Sequence, residues 1–258
     1  MKIIEGFKIF YLCLLVLFYL FVCIVICPVF LLSPHGYRVI NARMVCIFSK
    51  LVLRLLGCRI TCTGEKKLRP GNYLIVANHV SYLDVLILAS RFPSCFVTSQ
   101  EVRETLFLGA VTTLAGCIFV ERRSRQFLQQ ETCQISQALK KNLSVVIFPE
   151  GTSTNGDTVL RFRQPLFRAA IDSKKNVLPV SIVYQKINGV PVDAYNRDAI
   201  FWYGDMEFKD HFIGLAGINH IQVTLNICRP LFSPAFEQCD ALSVSAHDAV
   251  KTAYFKRL

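Results

Sequence analysis

The chain has 258 residues, 53% of them hydrophobic and 18% charged, with a mean hydropathy of +0.41, which excludes a disordered chain and is more apolar than an ordinary soluble enzyme. Its formal charge of +11 is concentrated: residues 35–69 hold eight basic residues against Glu65, while residues 1–34 carry a net of +1. A juxtamembrane block of this kind reads as attraction to anionic lipid headgroups and speaks against a nucleic-acid partner.

The eleven cysteines form no Cys-x-x-Cys pair and no Cys/His cluster of zinc spacing. Neither a disulfide framework nor a metal site is expected, and the part of the chain after the apolar N-terminus is placed in reducing cytosol.

In chain order, Ile9 to Cys27 is nineteen apolar residues without interruption. At ~1.5 Å rise per residue this makes roughly 28 Å of helix, about one hydrocarbon thickness. The following Cys27-Pro28-Val29-Phe30 offers no small-residue cleavage site, so residues 1–34 are expected to be a retained membrane anchor. Two topologies stand: a full span, or a hairpin in one leaflet bending at Pro28 or at Ser33-Pro34-His35-Gly36. The positive block on the C-terminal side directs the remainder to the cytoplasm, at the inner membrane in a bacterial cell.

Residues 35–70 are read as a basic interfacial segment. On a helix from about Tyr37 to Leu56, Arg43, Lys50 and Arg54 share one face and apolar residues fill the rest.

From residue 71 to 258 the pattern alternates. Apolar or β-branched runs at Tyr73–Ala77, Cys95–Thr98, Cys117–Val120, Ser144–Phe148, Val177–Tyr184 and Ile221–Ile227 are separated by helix-like stretches near Leu83–Ser90, Glu104–Leu114, Arg125–Lys141 and Pro165–Ser173, with a last helix near Asp240–Leu258. This predicts an α/β domain with a mostly parallel central sheet flanked by helices.

Three segments carry chemistry-bearing residues. Asn78-His79-Val80-Ser81-Tyr82-Leu83-Asp84 follows the first run of that domain, at a strand-to-helix turn where α/β sheets place ligands. With His79 in the loop and Asp84 in the first helical turn, the carboxylate holds one imidazole nitrogen and leaves the other as a general base. The competing reading is a capping box, Ser81-x-x-Asp84, with no chemistry. The second segment is Gly116–Arg125, a strand emerging into arginines suited to phosphate. The third, Ser144–Gly156, is a strand ending in a polar, glycine-punctuated loop, with Arg161 and Arg163 downstream, that suits an anion or an oxyanion.

Together and in this order they resemble the glycerolipid acyltransferase family typified by 1-acylglycerol-3-phosphate acyltransferase, over roughly residues 60–230. The matching motifs are Asn78-His79 with Asp84; Arg122; Phe148-Pro149-Glu150-Gly151-Thr152; and Pro179 within a late apolar strand. The resemblance implies a membrane-bound O-acyltransferase that moves a fatty acyl group from an acyl-CoA or acyl carrier protein thioester, a co-substrate rather than a cofactor, to the free hydroxyl of a lysophospholipid. Lysophosphatidate is the leading acceptor. His79 and Asp84 are the implied catalytic residues; Arg122, Glu150, Gly151 and Thr152 are assigned to acceptor binding, with Arg161 and Arg163 as further cations.

Two departures bear on the acceptor. Ser153 stands where lysophosphatidate enzymes often carry arginine, and Thr98-Ser99-Gln100-Glu101 lacks the lysine many members have there. The Thr152–Gly156 loop and Trp202-Tyr203-Gly204-Asp205 look more like branches acting on other lysophospholipids or on lyso-ornithine lipid. The alternatives are therefore an acyltransferase on such a non-glycerophosphate amphiphile, and a non-catalytic lipid-binding protein of the same fold.

Overall fold

The computed structural model describes residues 2–65, 68–121 and 127–256; Arg122, like Lys66, Lys67 and residues 123–126, lies outside the described residues. Helix α1 (Lys2–Ile26) and the single turn α2 (Pro28–Leu32) lead into α3 (Pro34–Leu55). Pro34 sits at the first helical position and the Ser33 hydroxyl accepts the Gly36 amide (3.0 Å), so α3 starts earlier than hydrophobic periodicity indicates. α1 and α3 run antiparallel: Tyr19 meets Phe48 edge-on at 5.0 Å, Cys23 contacts Asn41, and Phe30 meets Tyr37 at 5.6 Å. The other end of α1 is tied to the body of the protein, where Lys8 Nζ donates to the Ile218 carbonyl (2.6 Å).

One face of α1 is left bare. Phe7, Phe10, Leu14, Leu17, Phe21 and Ile24, spaced three and four apart, are each 45–64% exposed. Glu5–Leu32 is also long and apolar enough to cross a bilayer, with a mean hydropathy of 3.1 over its most apolar window. Large exposed apolar side chains running the length of such a helix mark a membrane-associated segment. α3 buries Ala42, Cys46, Ser49 and Leu53 against the rest of the protein and keeps Arg43, Lys50 and Arg54 exposed.

Behind the hairpin lies a mixed sheet. Its strands are β1 (Cys58–Thr63), β2 (Leu74–Ala77), β3 (Ser94–Ser99), β4 (Ile118–Val120), β5 (Ser144–Ile147), β6 (Val177–Ile187), β7 (Val190–Pro191) and β8 (Ile221–Ile227), in the order β1-β8-β6-β2-β5-β3-β4 with β7 beside β6. Pairings are parallel except β6–β8 and β6–β7, so the expected mostly parallel α/β sheet is what forms. β1 falls inside the segment read as basic and interfacial, and it pairs with β8 from Cys58↔Ile221 to Thr63↔Asn226. The sheet thus begins well before residue 71.

Helices α4 (Leu83–Arg91), α5 (Gln100–Glu104), α6 (Leu106–Leu114), α7 (Leu128–Lys140), α8 (Arg168–Ser173), α9 (Phe208–Ala216) and α10 (Cys239–Phe255) complete the layers. Strand alternation splits the core in two. Ile75 and Ala77 of β2 join Leu83, Ile87 and Leu88 of α4 on one face, while Leu74 and Val76 join Ile135 and Leu139 of α7 and Leu242 and Ala246 of α10 on the other. Burial on both faces is why β2 reads as an unbroken apolar run. It also leaves the polar segment that follows it at a sheet end.

Candidate active site

At the end of β2 the Asn78 side chain behaves like a peptide group: its amide donates to the Ile182 carbonyl (3.0 Å) and its oxygen accepts the Ile182 amide (2.8 Å), which fixes where the loop leaves the sheet. His79 follows. Its amide donates to Glu150 Oε1 (2.7 Å) and its carbonyl accepts the Thr154 amide (3.0 Å), so the loop after β5 grips the His79 backbone from both sides. The imidazole stacks on Phe148 with centroids 4.1 Å apart and planes 17° apart.

His79 Nδ1 lies 2.9 Å from Asp84 Oδ2. The same oxygen accepts the amides of Val80 (2.7 Å) and Ser81 (2.9 Å), and Oδ1 accepts the Tyr184 hydroxyl (2.8 Å). A carboxylate already ringed by three donors is an acceptor toward His79 as well, so Nδ1 carries the hydrogen and Nε2 the lone pair. Asp84 is fully enclosed, whereas the His79 side chain is 21% exposed and its Nε2 has no hydrogen-bond partner among the described residues. Asp84 thus accepts the Ser81 amide, as the acid of a capping box does, and also holds the imidazole. The Ser81 hydroxyl instead donates to the Ile200 carbonyl (2.7 Å).

Tyr184 gives no sign in the sequence beyond its place near the end of an apolar run. Burial, and then the Asp84 charge, push its phenol well above its ordinary value and keep it a donor.

Glu150 is enclosed by the protein. It is 4% exposed, its second oxygen accepts the Leu160 amide (2.8 Å), and burial pushes its carboxyl up to about 7 against the opposing effect of its two amide bonds. Both Glu150 oxygens thus hold backbone, one at His79 and one at Leu160. Gly151 has φ +79°, and a Cβ there would lie 2.7 Å from Arg163 Cζ, so the exposed Arg163 guanidinium rests directly over the Gly151 backbone. Thr152 is exposed beside it. Arg161 is not brought to this place; its side chain is 76% exposed and points to Asp240 at the start of α10 (3.4 Å). A further cation that sequence reading passed over, Arg197, is paired with Asp157 in the same loop.

The loop is closed from behind at Gly156, whose carbonyl accepts the Tyr254 hydroxyl (2.9 Å). Gly156 has φ +76°, and a Cβ would lie 2.6 Å from Phe201 Cε2 and 2.7 Å from the Tyr254 oxygen. Gly156→Ala should cost about 2–5 kcal/mol, from ~1–2 for the left-handed backbone plus ~1–3 for overpacking. A drop in the melting temperature of the purified protein measures this, and an unchanged melting temperature would contradict the packing.

The family model described as "Acyltransferase" matches residues 59–183. A lyso-ornithine lipid O-acyltransferase of Brucella abortus is 31% identical over 230 residues, 86% of this chain and 84% of the relative. A 1-acyl-sn-glycerol-3-phosphate acyltransferase of Neisseria gonorrhoeae is 33% identical over 120 residues, 46% of this chain and 47% of the relative. Among solved structures, the 1-acyl-sn-glycerophosphate (LPA) acyltransferase PlsC from Thermotoga maritima matches with a TM-score of 0.57 over 95% of each chain at 20% identity, a likeness of fold.

Proposed function

The chain belongs to the glycerolipid acyltransferase family and is an acyltransferase acting on lyso-lipids, and we propose that it acylates the free hydroxyl of a lysolipid whose headgroup carries less charge than a phosphomonoester, lyso-ornithine lipid first among them. The donor is an acyl-CoA or acyl carrier protein thioester, and the catalytic domain faces the cytoplasm, on the side of the +7 block. The observation that carries the chemistry is the free, solvent-reached Nε2 of an imidazole held by Asp84.

His79 Nε2 takes the acceptor hydroxyl proton as that oxygen attacks the thioester carbonyl. The tetrahedral intermediate collapses, the C–S bond breaks, and the departing thiolate takes the proton back from His79 as a thiol. No protein nucleophile is needed, and among the described residues no serine or cysteine is hydrogen-bonded to His79. Asp84 stabilises the imidazolium formed midway. The Gly151 amide is used in a turn to the Phe148 carbonyl (3.1 Å), whereas the amides of Thr152 and Ser153 make no hydrogen bond among the described residues and are the groups offered to the oxyanion.

The cations support this choice of acceptor. A compact dianionic phosphomonoester is best held by several fixed guanidinium groups. Among the described residues Arg163 stands beside Gly151, while Arg161 and Arg197 are engaged by Asp240 and Asp157; the motif arginine Arg122 lies outside them. The Brucella relative, matched along most of its length, is named for lyso-ornithine lipid. Lysophosphatidate is the second reading, favoured by the complete Phe148–Thr152 motif and by the Neisseria relative's name.

In a competition assay offering lyso-ornithine lipid, lysophosphatidate, lysophosphatidylethanolamine and lysophosphatidylcholine with one acyl donor, lyso-ornithine lipid is consumed first. Arg163→Ala weakens use of anionic acceptors by about tenfold, the value of one charge-assisted hydrogen bond. Preferential consumption of lysophosphatidate would overturn the headgroup assignment and leave the chemistry intact.

A further inference from the structure

Away from His79, a cleft of about 570 Å³ opens where the end of α3, the start of β1 and the end of α4 meet. Lys50 and Arg54 of α3, Arg59 of β1 and Arg91 of α4 line it together with His220, and no aspartate or glutamate does. Two stretches distant in sequence, residues 50–59 and the end of α4, thus deliver four cations to one concavity. None of the four forms an ion pair among the described residues; the one polar contact of their side chains is Arg91 Nη2 donating to the Ile60 carbonyl (3.2 Å).

Helix dipoles do not account for the excess. Two helix C-termini point here, each equivalent to roughly −0.5 charge, which leaves about +3 uncompensated. Like charges gathered in a hollow repel one another unless an anion joins them.

The surroundings indicate where that anion comes from. On α3, Ile47 (58% exposed) lies one turn before Lys50 and Leu51 (42% exposed) one turn before Arg54, so the cations border bare apolar side chains. His220 adjoins Asn219 and Ile218, the residues to which Lys8 of the membrane-associated α1 is bound, so the cleft lies beside that helix's start. A phosphate beneath an acyl chain has this polarity, charge next to hydrocarbon.

We propose that this cleft is a phosphate-binding site, separate from the acceptor site, that takes the headgroup of an anionic phospholipid of the host bilayer. The phosphate accepts from the guanidinium groups of Arg54, Arg59 and Arg91 while the lipid's chains lie along Ile47 and Leu51. Bound so, the lipid fixes the hairpin against the catalytic domain. The site rests on the membrane association of the chain and not on the identity of the acceptor.

The test uses the full chain in neutral detergent, wild type and Arg54→Gln/Arg59→Gln, two exposed positions outside the catalytic machinery. Dihexanoyl phosphatidylglycerol, dihexanoyl phosphatidylcholine and coenzyme A are titrated separately and binding is read from the shift in melting temperature. Phosphatidylglycerol should stabilise the wild type saturably and bind the double variant about 30-fold more weakly, fivefold per arginine, with no saturable effect of phosphatidylcholine on either. Equal phosphatidylglycerol binding by both proteins would overturn the site. Coenzyme A that displaces phosphatidylglycerol and is itself lost in the variant would also overturn the lipid assignment, giving the cleft to the donor's nucleotide phosphates. Acyl transfer in phosphatidylcholine is measured in the same preparations: turnover retained while phosphatidylglycerol binding is lost keeps this site distinct from the catalytic one, and turnover lost in step with it would merge the two and overturn the proposal.

Discussion

His79→Ala should lower kcat for acyl transfer by about 10²–10⁴-fold, the range expected when a positioned general base is removed. The imidazole is partly open to solvent and touches Phe148 on one face, so its loss opens a gap at the surface and not a sealed cavity. The backbone bonds of His79, from Glu150 and Thr154, involve its amide and carbonyl and survive the substitution. The variant should therefore fold, associate with membranes and melt within a few degrees of the wild type. Steady-state turnover of the purified variant decides the matter, because activity within a fewfold of wild type would remove His79 from the mechanism whatever the family resemblance says. A turnover loss accompanied by a collapse in melting temperature would show instead that the ring is a packing element.

Most of the sheet was legible because its central strands are buried on both faces and bounded by turn residues; Ile221–Ile227 and Ser144–Ile147 fall within a residue of their expected limits. What was missed has physical causes. β1 alternates as a half-buried strand should, with Cys58, Ile60 and Cys62 against Arg59, Thr61 and Thr63, but its arginine and the basic residues around it made the segment read as a lipid-facing stretch. The helix expected over Glu104–Leu114 forms as α6, and a short helix that was not expected, α5, precedes it; the two are divided at Thr105, whose backbone is extended, and Ser99 caps α5 by accepting the Val102 amide. α9 is nine residues long and interrupted by Gly214, too short to establish a period.

At the site, the pairing of His79 with Asp84 was legible from the strand-to-helix switch between them. The duties of Glu150, Arg161 and Tyr184 were not, because each depends on a partner far along the chain: Glu150 on His79, Arg161 on Asp240, Tyr184 on Asp84. Residue type announces that a carboxylate or a guanidinium is present, and tertiary contacts decide whether it faces a ligand or the protein.

The sharpest separation of structure from chemistry at this site is Asp84→Asn, for which a loss of about 10⁴-fold in kcat is expected, as when the orienting carboxylate of a His-carboxylate pair becomes an amide. The carboxylate accepts from His79, Val80, Ser81 and Tyr184. An asparagine that keeps its oxygen toward His79, Val80 and Ser81 turns its amide toward Tyr184, whose hydroxyl rotates from donor to acceptor. Every atom then still has a partner, so the loop and the start of α4 persist and the melting temperature falls little. The negative charge that stabilises the imidazolium is gone, and an amide rotated the other way donates to Nδ1 and places the imidazole hydrogen on Nε2, where it blocks proton uptake. Tyr184→Phe tests the outer half of the network. It removes one hydrogen bond to a charged group, worth ~1.5–3 kcal/mol, yet leaves the charge and the His79 contact in place. Its kcat should fall about tenfold with KM unchanged, because Tyr184 acts on Asp84 and not on either substrate. If Asp84→Asn lowers only the melting temperature and leaves kcat alone, the carboxylate is a helix cap, and the Tyr184 hydroxyl serves that cap and not the reaction.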